Sequence, residues 1–508
     1  MRERHYLQSM RPPQSDADAT ASLASPPVAG AGAGPTDGTV ALPSVRSFFS
    51  RRSLPIPRVR FGPVSGRIAI GALVVATLAI VIVAASGPTV LVPRSRVVFP
   101  SWDAGPLGSL ISGSFTDGNT IGLAFSAVLV AMLAAYGIAL AAVRSLSMRL
   151  IVVAIVVLHV ILLMSPPLQL NDVWNYLAYA RLGALHHFNP YTHVIRQEFF
   201  DPVYAFSTWH NLRSPYGSLF SALTYPLAFT SLPVAYWTLK IVTVLLSLGF
   251  IALVWQCARQ LGRDPRFAVV FVALNPVYLI YAVGGFHNDF FMLVPTMGAI
   301  SLMLARRDRL SGAALVLAIA VKFTGVLLLP FLLVAVRTRE RQVRFIVGAA
   351  LAAIPMIVLS VLTFGLSLPN LSDQANLLTD FSFPNMVGLL IGIGGGSPGL
   401  LRIMSVAVVA VVAYELYRRR DWLTGAGWST FALIVSLAWL VPWYVIWLLP
   451  LAALALSPGL RRTALALTVF LVITFMPAAQ IYMNDHHIDP LGSSVDHVSQ
   501  VLQRKLAG

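Results

Sequence analysis

The sequence predicts an all-helical protein that crosses a membrane many times, and three observations support this. Of the 508 residues, 57% are hydrophobic and only 11% are charged, whereas a soluble domain carries roughly a quarter charged residues. Apolar runs long enough to span a bilayer recur along the chain. Arginines concentrate in short loops between these runs, so the net charge of +16 indicates membrane topology rather than a nucleic-acid partner.

The first 65 residues are expected to form a disordered, basic cytosolic tail. They are rich in Pro, Ala, Gly and Ser and contain no apolar core of the kind that a signal peptide needs. Arginines near the end of this tail should hold it in the cytosol. Residues 66–482 then form the transmembrane domain, and residues 483–508 form an extracytoplasmic tail. The single cysteine, Cys257, excludes an internal disulfide and a cysteine-based metal site.

Basic loops define the predicted topology. Short segments rich in Arg are typical of cytosolic loops, and three of them, "VRSLSMR" (143–149), "RQLGRDPR" (259–266) and "RRDR" (306–309), follow apolar runs. The large loop 168–216 then lies outside. The predicted spans that follow this alternation are 68–86, 121–143, 150–165, 233–257, 267–284, 290–305 and 463–482.

Two apolar segments have both ends in basic clusters but are short for two crossings. Residues 310–336 lie between "RRDR" and "RTRERQVR", and residues 426–457 lie between "YRRRD" and "RR". Each full span needs about 20 residues. We therefore expect two short broken hairpins that are enclosed by protein or line a cavity, and about 11 to 13 spans in total.

This topology brings several polar and aromatic segments to the outer face of the membrane. They are widely separated in the sequence, and the alternation of cytosolic basic loops is what gathers them. We therefore expect an external site built from residues 170–217, 284–290, 381–385 and 442–447.

Asp172 begins a predicted short helix, residues 172–187, in the large external loop. Asp172, Asn175, Tyr176 and Tyr179 share one helical face, so this helix can lie in the membrane interface with that face toward a cavity. Asp172 is a candidate general base, because functional groups favour loops that rigid elements hold. A carboxylate at a helix N-terminus can equally satisfy free backbone N–H groups.

His287, Asn288 and Asp289 follow a Gly-Gly pair at the end of an apolar run. They are candidates for orienting a substrate, although Asn288 or Asp289 can also be the N-cap of the next helix. The spacing fixes no third ligand beside His287 and Asp289, so no metal site is indicated, although a divalent metal is not excluded. No other cofactor is expected.

Lys322 lies in the middle of the apolar run "LAIAVKFTGVLLLP". A lysine at the centre of a membrane helix costs roughly 2.5–3.5 kcal/mol on insertion, and such groups often mark functional sites. At the tip of a half-hairpin it could meet a lipid phosphate, whereas pairing with a carbonyl or a buried carboxylate would make it structural. Lys240 lies nearer the end of a span and is expected to extend outward to the interface.

Two aromatic segments add candidates near the membrane surface. "RSPYGSLFSALTYP" (213–226) contributes Arg213 and Tyr216, and "VPWYVIWLLP" (441–450) contributes Trp443 and Tyr444. Aromatic residues at this depth are usually membrane anchors, and sugar binding is the alternative. An arginine fork suits a phosphate, which makes Arg213 a candidate for phosphate binding.

The order of these segments resembles a known family. "NDVWNYLAYARLG", "FNPY" and "SPYGSL" are followed by "NPVYLIYAVGGFHNDFFM", "AIAVKFTGVLLLPFLL" and "PWYVIWLLPLAAL". This order is similar to that of the bacterial polyprenyl-phosphate-mannose-dependent α-1,6-mannosyltransferases, which are integral-membrane glycosyltransferases of the GT-C fold. The resemblance covers the chain from residue 150 to residue 457 or so. More distantly, the chain resembles the mannosyltransferase that adds the first mannose to GPI anchors.

The resemblance implies a GT-C-like catalytic domain over residues 66–482. It puts Asp172 in the position of the family's catalytic acidic residue in the first external loop, and His287–Asp289 and Lys322 in other motif positions. Several relatives carry paired acidic residues in that loop, whereas here Asn171 precedes Asp172. This departure argues against a metal bridged by two carboxylates.

The implied reaction transfers a hexosyl group, with mannose expected, from a polyprenyl phosphate carrier to a hydroxyl of an extracytoplasmic glycan or glycolipid. Such a reaction belongs to lipoglycan biosynthesis in the cell envelope. The family's donor is β-linked and its product α-linked, so one in-line displacement with a general base is expected. Asp172 is the expected base, and Lys322, helped by Arg213 or Arg181, would neutralise the leaving phosphate. The residues expected to orient donor or acceptor are His287, Asn288, Asp289, Tyr176, Tyr216, Trp443 and Tyr444.

A secondary transporter or a flippase for lipid-linked sugars is the alternative, because broken helices and intramembrane lysines also mark transporters. The concentration of candidate groups on one face argues against it, as does the lack of a recognisable inverted repeat. The expected location is the plasma (inner) membrane, with the N-terminus in the cytosol and the active site outside. The expected partners are the donor, the acceptor and membrane lipid, without nucleic acid.

Overall fold

The computed structural model describes residues 61–92, 99–108, 117–169, 172–369, 371, 374, 377–418 and 421–507. Within these ranges the chain is helical and contains no strand. The predicted all-α fold is therefore confirmed. The predicted N-terminal tail lies outside the described residues except for residues 61–65, and the first helix begins at Pro63.

The helices follow the predicted order along the chain. The first eight are α1 (Pro63–Ala85), α2 (Gly118–Ala142), α3 (Met148–Leu163), α4 (Asp172–Ala184), α5 (Ser218–Thr224), α6 (Leu232–Gln260), α7 (Pro265–Ala273) and α8 (Asp289–Leu304). The next five are α9 (Asp308–Val321), α10 (Leu329–Ala335), α11 (Arg339–Phe364), α12 (Phe383–Leu390) and α13 (Pro398–Tyr417). The last five are α14 (Trp422–Ser436), α15 (Val445–Leu454), α16 (Pro458–Phe475), α17 (Pro477–Asp485) and α18 (Ser494–Ala507).

The protein is a multi-pass membrane protein. In the described ranges, six helices are long and apolar enough to cross a membrane, namely α1, α2, α6, α11, α13 and α16. A seventh span results if α7 and the π-helical segment Val277–Val283, bent by 54° relative to each other, are counted together. Five further apolar helices have only 10–17 residues. Each of these five helices is too short to be a standard span by itself. The predicted total of about 11 to 13 spans is reached only if they are counted as well.

Both predicted hairpins are broken at the expected places. α9 ends at Val321, Lys322 is extended with φ −152° and ψ 121°, and a 3-10 turn, Phe323–Leu328, leads into α10. In the second hairpin, a 3-10 turn at Pro442–Tyr444 separates α14 from α15. Irregular backbone of this kind is tolerated at membrane depth where it borders a cavity.

α4 is enclosed by protein on most of its surface. Every residue from Val173 to Ala180 is buried. On one side Trp174 stacks on Tyr236 of α6 with ring centroids 4.6 Å apart. On the other side the external loop covers much of the polar face, because Tyr216 packs edge to face on Tyr176 at 4.9 Å. Only part of the polar face is therefore left to border a cavity.

Lys240 does not extend outward, so that prediction is wrong. Its side chain is 0% exposed within α6. The ammonium donates a hydrogen bond to the carbonyl of Ser165 at 2.7 Å and lies 3.9 Å from the ring centroid of Trp237. The rings of Tyr236 and Phe286 complete the enclosure. The buried carboxylate of Asp103 attracts the ammonium, and this opposite charge together with the carbonyl and three aromatic faces makes the buried position favourable.

Candidate active site

A cavity of about 1350 Å³ lies between α4, the break at Lys322 and the break after α14. Its wall also includes α13 and the external loop. Most of the predicted site residues border it, although they come from distant parts of the chain. The predicted residues on the wall are Asp172, Tyr176, Tyr216, Asn288, Asp289, Lys322, Trp443 and Tyr444.

Asp172 lies in the first turn of α4 with its side chain 17% exposed. Its Oδ2 atom is 3.4 Å from Nδ1 of His287, which is 1% exposed. That distance allows an ion pair, but neither ring nitrogen of His287 has a hydrogen-bond partner among the described residues. The imidazole stacks on the indole of Trp443 with centroids 3.8 Å apart. His287 therefore lies behind Asp172, and the carboxylate faces the cavity.

The loop that carries His287 is fixed by its backbone. Phe286 has a φ of 52°, in the left-handed region that side chains rarely adopt. A Cβ on Gly285 would lie 2.5 Å from the backbone carbonyl oxygen of Tyr281, so a glycine is required there. The amide of Leu168 donates to the carbonyl of Gly284 at 2.9 Å and ties the loop to the segment before α4.

Asp289 and Lys322 form an ion pair between α8 and the break after α9. Oδ1 of Asp289 accepts hydrogen bonds from Nζ of Lys322 at 2.8 Å and from Nε1 of Trp447 at 2.6 Å. The Asp289 side chain is 1% exposed and that of Lys322 is 22% exposed. The ammonium also lies 5.2 Å from the ring centroid of Tyr444. The predicted alternative of pairing with a buried carboxylate is therefore present, and because Lys322 also borders the cavity, binding of a phosphate stays a prediction.

The external loop holds the break in the first hairpin. The amide of Gly217 donates to the carbonyl of Val321 at 3.1 Å. A Cβ on Gly217 would lie 2.2 Å from the carbonyl oxygen of Ala320, so a side chain would separate the two segments. This close approach sets Tyr216 and Lys322 on the same cavity wall.

Three tyrosines on the cavity wall carry neutral hydroxyls. Burial raises the pKa of Tyr176, Tyr179 and Tyr216, and the negative charge of Asp172 raises it further. The hydroxyl oxygen of Tyr176 accepts a hydrogen bond from the amide of Asn288 at 3.2 Å. These groups offer hydrogen bonds to a polar ligand without adding charge.

Asn288 offers a further donor to a ligand. Its side chain is 2% exposed and borders the cavity, and Nδ2 has no hydrogen-bond partner among the described residues. Asn288 precedes α8 but makes no side-chain capping bond. Since a buried polar group without a partner is costly, a bound ligand is a good candidate to satisfy it.

Arg181 and Arg213, both predicted to bind phosphate, do not border the cavity. Nε of Arg181 donates to both carboxylate oxygens of Asp201 at 2.8 and 3.0 Å, and Nη1 donates to the carbonyl of Ala228 at 3.3 Å. Burial alone would raise the pKa of Asp201, but hydrogen bonds from Arg181 and His186 hold it below its usual value. Arg181 therefore stabilises the external loop, because this loop folds back onto α4 and brings Asp201 to the arginine.

Arg402 of α13 also borders the cavity and is not among the predicted residues. It is exposed, near the start of an otherwise apolar span. A lone charge inside an apolar run was the signal that identified Lys322, and the same signal applies to Arg402. In the described part of the chain, no group of three or more His, Cys, Asp or Glu side chains is arranged to hold a metal ion.

Two family models match the chain. One, described as "Alpha-(1->6)-mannopyranosyltransferase, N-terminal domain", matches residues 70–338, and the other, "MptB C-terminal domain", matches residues 385–490. Together they include every residue that is described above as bordering the cavity, and the first covers more than half of the chain. No solved structure matches the chain.

Individual relatives are distant. The chain is 28% identical over 262 residues to Alpha-(1->6)-mannopyranosyltransferase A of Mycobacterium tuberculosis. The aligned region covers 45% of this chain and 50% of the relative. It is 25% identical over 350 residues to Alpha-(1->6)-mannopyranosyltransferase B of Corynebacterium glutamicum, covering 58% and 57%. It is 26% identical over 364 residues to Alpha-(1->6)-mannopyranosyltransferase A of the same organism, covering 62% and 73%. The chain thus spans between half and three fifths of the length of the first two relatives.

Proposed function

Since the chain belongs to the alpha-(1->6)-mannopyranosyltransferase family, we propose that it transfers a mannosyl group from a polyprenyl phosphate to a hydroxyl of an extracytoplasmic glycan or glycolipid. The observation that carries this proposal is the meeting of Asp172, Asp289 and Lys322 on one cavity. A base for the acceptor and a cation for a phosphate are the two groups that this transfer needs.

Of the two carboxylates, Asp172 is better suited to be the base. Asp289 is buried, and its Oδ1 atom already accepts from Lys322 and Trp447. Asp172 is more exposed and has His287 at 3.4 Å as its ionic neighbour among the described residues. A general base must come within hydrogen-bond reach of the proton that it removes, and the open carboxylate of Asp172 can do so.

The reaction is a single inverting displacement. The acceptor oxygen attacks the anomeric carbon of the donor, while the bond from that carbon to the phosphate oxygen breaks. The electron pair leaves with the phosphate, and the acceptor proton passes to Asp172. His287, which stacks on Trp443, lies 3.4 Å behind the carboxylate of Asp172 and provides a positive neighbour when it is protonated.

Lys322 stabilises the leaving phosphate in this proposal. Its ammonium gives one hydrogen bond to Asp289 and has further donors for phosphate oxygens. A positive group fixed beside a developing charge in a site of low dielectric contributes strongly to catalysis. Arg402 adds a second cation on the same cavity.

The lipid part of the donor fits the side of the cavity formed by α13. Only 11% of the apolar stretch is buried in α11 and in α13, so both helices present most of their surface to lipid. Leu401 and Val406 of α13 line the cavity, and Ile403 is 67% exposed on the outside. A polyprenyl chain can thus enter from the bilayer while its phosphate reaches the polar end.

The test is transfer of radiolabel from polyprenyl-phosphate-mannose by purified protein in detergent, where a transporter would have no gradient to act on. Asp172→Asn should lower turnover by roughly 10² to 10⁴, the usual contribution of a general base, without changing detergent extraction or melting temperature. Asp485→Asn, at an exposed position outside the cavity, is the matched control. Near-normal turnover of Asp172→Asn would remove Asp172 from the mechanism, and no transfer by the wild type would reject the donor.

A further inference from the structure

Two tryptophans form a part of the cavity wall that the reaction described above does not use. Trp209 comes from the external loop and Trp439 from the segment after α14. Their rings meet edge to face, with centroids 5.7 Å apart and planes at 80°. We propose that this pair binds a pyranose ring of the acceptor glycan, an inference that rests on the proposed function.

The backbone that carries each ring is held in place by hydrogen bonds, and the two rings contact each other. The side-chain oxygen of Asn175, which is 0% exposed, accepts hydrogen bonds from the amides of Thr208 at 2.9 Å and Trp209 at 3.2 Å. On the other side, the hydroxyl of Thr379 accepts from the amide of Leu440 at 3.2 Å, next to Trp439. Rings fixed in advance lose little entropy when a ligand binds.

The chemistry of the pair suits a sugar. An indole presents a large apolar face with a negative quadrupole, which attracts the weakly positive C–H groups on the face of a pyranose. Sugar hydroxyls need hydrogen-bonding partners, and Gln374 and Ser436 border the same cavity. An apolar wall with a few polar groups is the usual composition of a small-molecule site.

The pair lies at a useful distance from the proposed base. Asp172, Tyr176 and Tyr179 follow one another along the cavity face of α4, and the seven residue steps from Asp172 to Tyr179 rise by about 10 Å. The hydroxyl of Tyr179 donates to the carbonyl of Leu212 at 2.7 Å, which fixes the segment of Trp209 to this end of the helix. A glycan whose reacting hydroxyl is at Asp172 can therefore extend along α4 to the tryptophans.

This end of the cavity is covered by protein, which favours a sugar over the lipid chain. Leu506 of the C-terminal helix α18 packs in one cluster with Leu212 and Leu377, and both tryptophans pack against it. The amide of Asn211 donates to the carbonyl of Leu506 at 2.9 Å. The lipid-facing helices α11 and α13 provide the open apolar surface instead.

Binding can be tested without any transfer. The probe is methyl α-(1→6)-dimannoside, titrated calorimetrically into full-length protein in lipid nanodiscs. Trp439→Ala and Trp209→Ala should each weaken binding by about fivefold, the loss expected for one aromatic contact, and Trp439→Phe should restore most of it. Trp255→Ala, on α6 and outside the cavity, is the control. Equal affinities for the wild type and both alanine variants would overturn the proposal.

Kinetics separate this proposal from the proposed function. With labelled polyprenyl-phosphate-mannose, the Trp439→Ala variant should have an acceptor KM raised by about fivefold and an unchanged donor KM. A raised donor KM with an unchanged acceptor KM would place the tryptophans on the lipid and overturn the inference. Binding of the dimannoside that depends on Trp439, in a protein that transfers nothing, would support the subsite and reject the transferase.

Discussion

The ion pair of Lys322 and Asp289 has a structural role as well as the proposed catalytic one. Asp289 is buried at the start of α8, and Lys322 occupies the break after α9. Removal of one partner of a buried pair costs about 3–5 kcal/mol because the other charge is left uncompensated, whereas removal of both charges can be nearly neutral. The two roles can therefore be separated by experiment.

We predict that Lys322→Met alone lowers both stability and transfer. The double variant Lys322→Met/Asp289→Asn should recover most of the melting temperature, since it has no buried unpaired charge. It should remain inactive, because the cation for the phosphate is still missing. Thermal unfolding followed by fluorescence and the radiolabel assay measure the two properties. A double variant that regains transfer together with stability would assign Lys322 a structural role only.

Some residues of the site could be identified from the sequence and others could not. Lys322 and Asp172 were identifiable because a charge inside an apolar run is costly and because the resemblance points to the first loop. The structural role of Arg181 could not be identified from the sequence. Its partner Asp201 reaches it only because an irregular loop folds back onto α4, and no sequence pattern predicts that. The prediction for Lys240 was wrong for a related reason, because the carbonyl of Ser165 that accepts its hydrogen bond comes from a distant segment of the chain.

Arg181 is expected to stabilise the external loop and to have little effect on the binding of the donor. Arg181→Met should lower the melting temperature, because Asp201 would keep a buried charge without its arginine. Its donor KM should stay within about twofold of the wild type, since the residue does not border the cavity. A donor KM raised as strongly as in Lys322→Met would contradict this assignment.

The contact between the external loop and the first hairpin should be sensitive to a single methyl group. In Gly217→Ala the new Cβ would lie 2.2 Å from the carbonyl of Ala320, and such overpacking costs typically 1–3 kcal/mol. We expect a lower melting temperature and a larger loss of transfer, because Tyr216 and Lys322 would move apart. Gly71→Ala is the matched control, since that glycine is exposed on α1 and has nothing within 4 Å. Equal behaviour of the two variants would show that the contact is unimportant.

The broken hairpins were predictable because the length of each segment and the charges at its ends exclude both one and two full membrane spans. Two basic ends on one side and too few residues for two spans require a break. The enclosure of α4 was less predictable, because its burial depends on long-range packing by the loop around Tyr216. The helix at Ser494–Ala507 lies in a segment that the sequence suggested was only a tail, and its contact with Asn211 is equally long-range.

The proposed external position of the site predicts which residues react with reagents outside the cell. The native Cys257 is buried and should not react, so single cysteines can be introduced into the otherwise native chain. Asp485→Cys should be labelled by a membrane-impermeant maleimide on intact cells. Arg307→Cys, in a predicted cytosolic loop, should be labelled only after permeabilisation. Both positions are exposed, and the reverse pattern would move the site to the cytosolic side.

The general architecture followed from composition and charge, but the cavity did not. Hydropathy and the positive-inside rule predicted which segments share a side of the membrane. They could not predict that α13, an apolar helix with little buried surface, contributes Arg402 to the same cavity as α4, because that depends on which helices pack together. The indole pair of Trp209 and Trp439 is hidden in the sequence for the same reason.

The hydrogen bond from Gly217 to Val321 has a consequence for the order of events in a catalytic cycle. Tyr216 lies next to one end of this bond and Lys322 lies next to the other. If the two residues contact different ligands, a ligand that displaces the loop changes the affinity of the protein for the other ligand. Such coupling is reciprocal, because the same free energy acts in both directions. In the proposed reaction, departure of the phosphate carrier and release of the sugar product would then not be independent events.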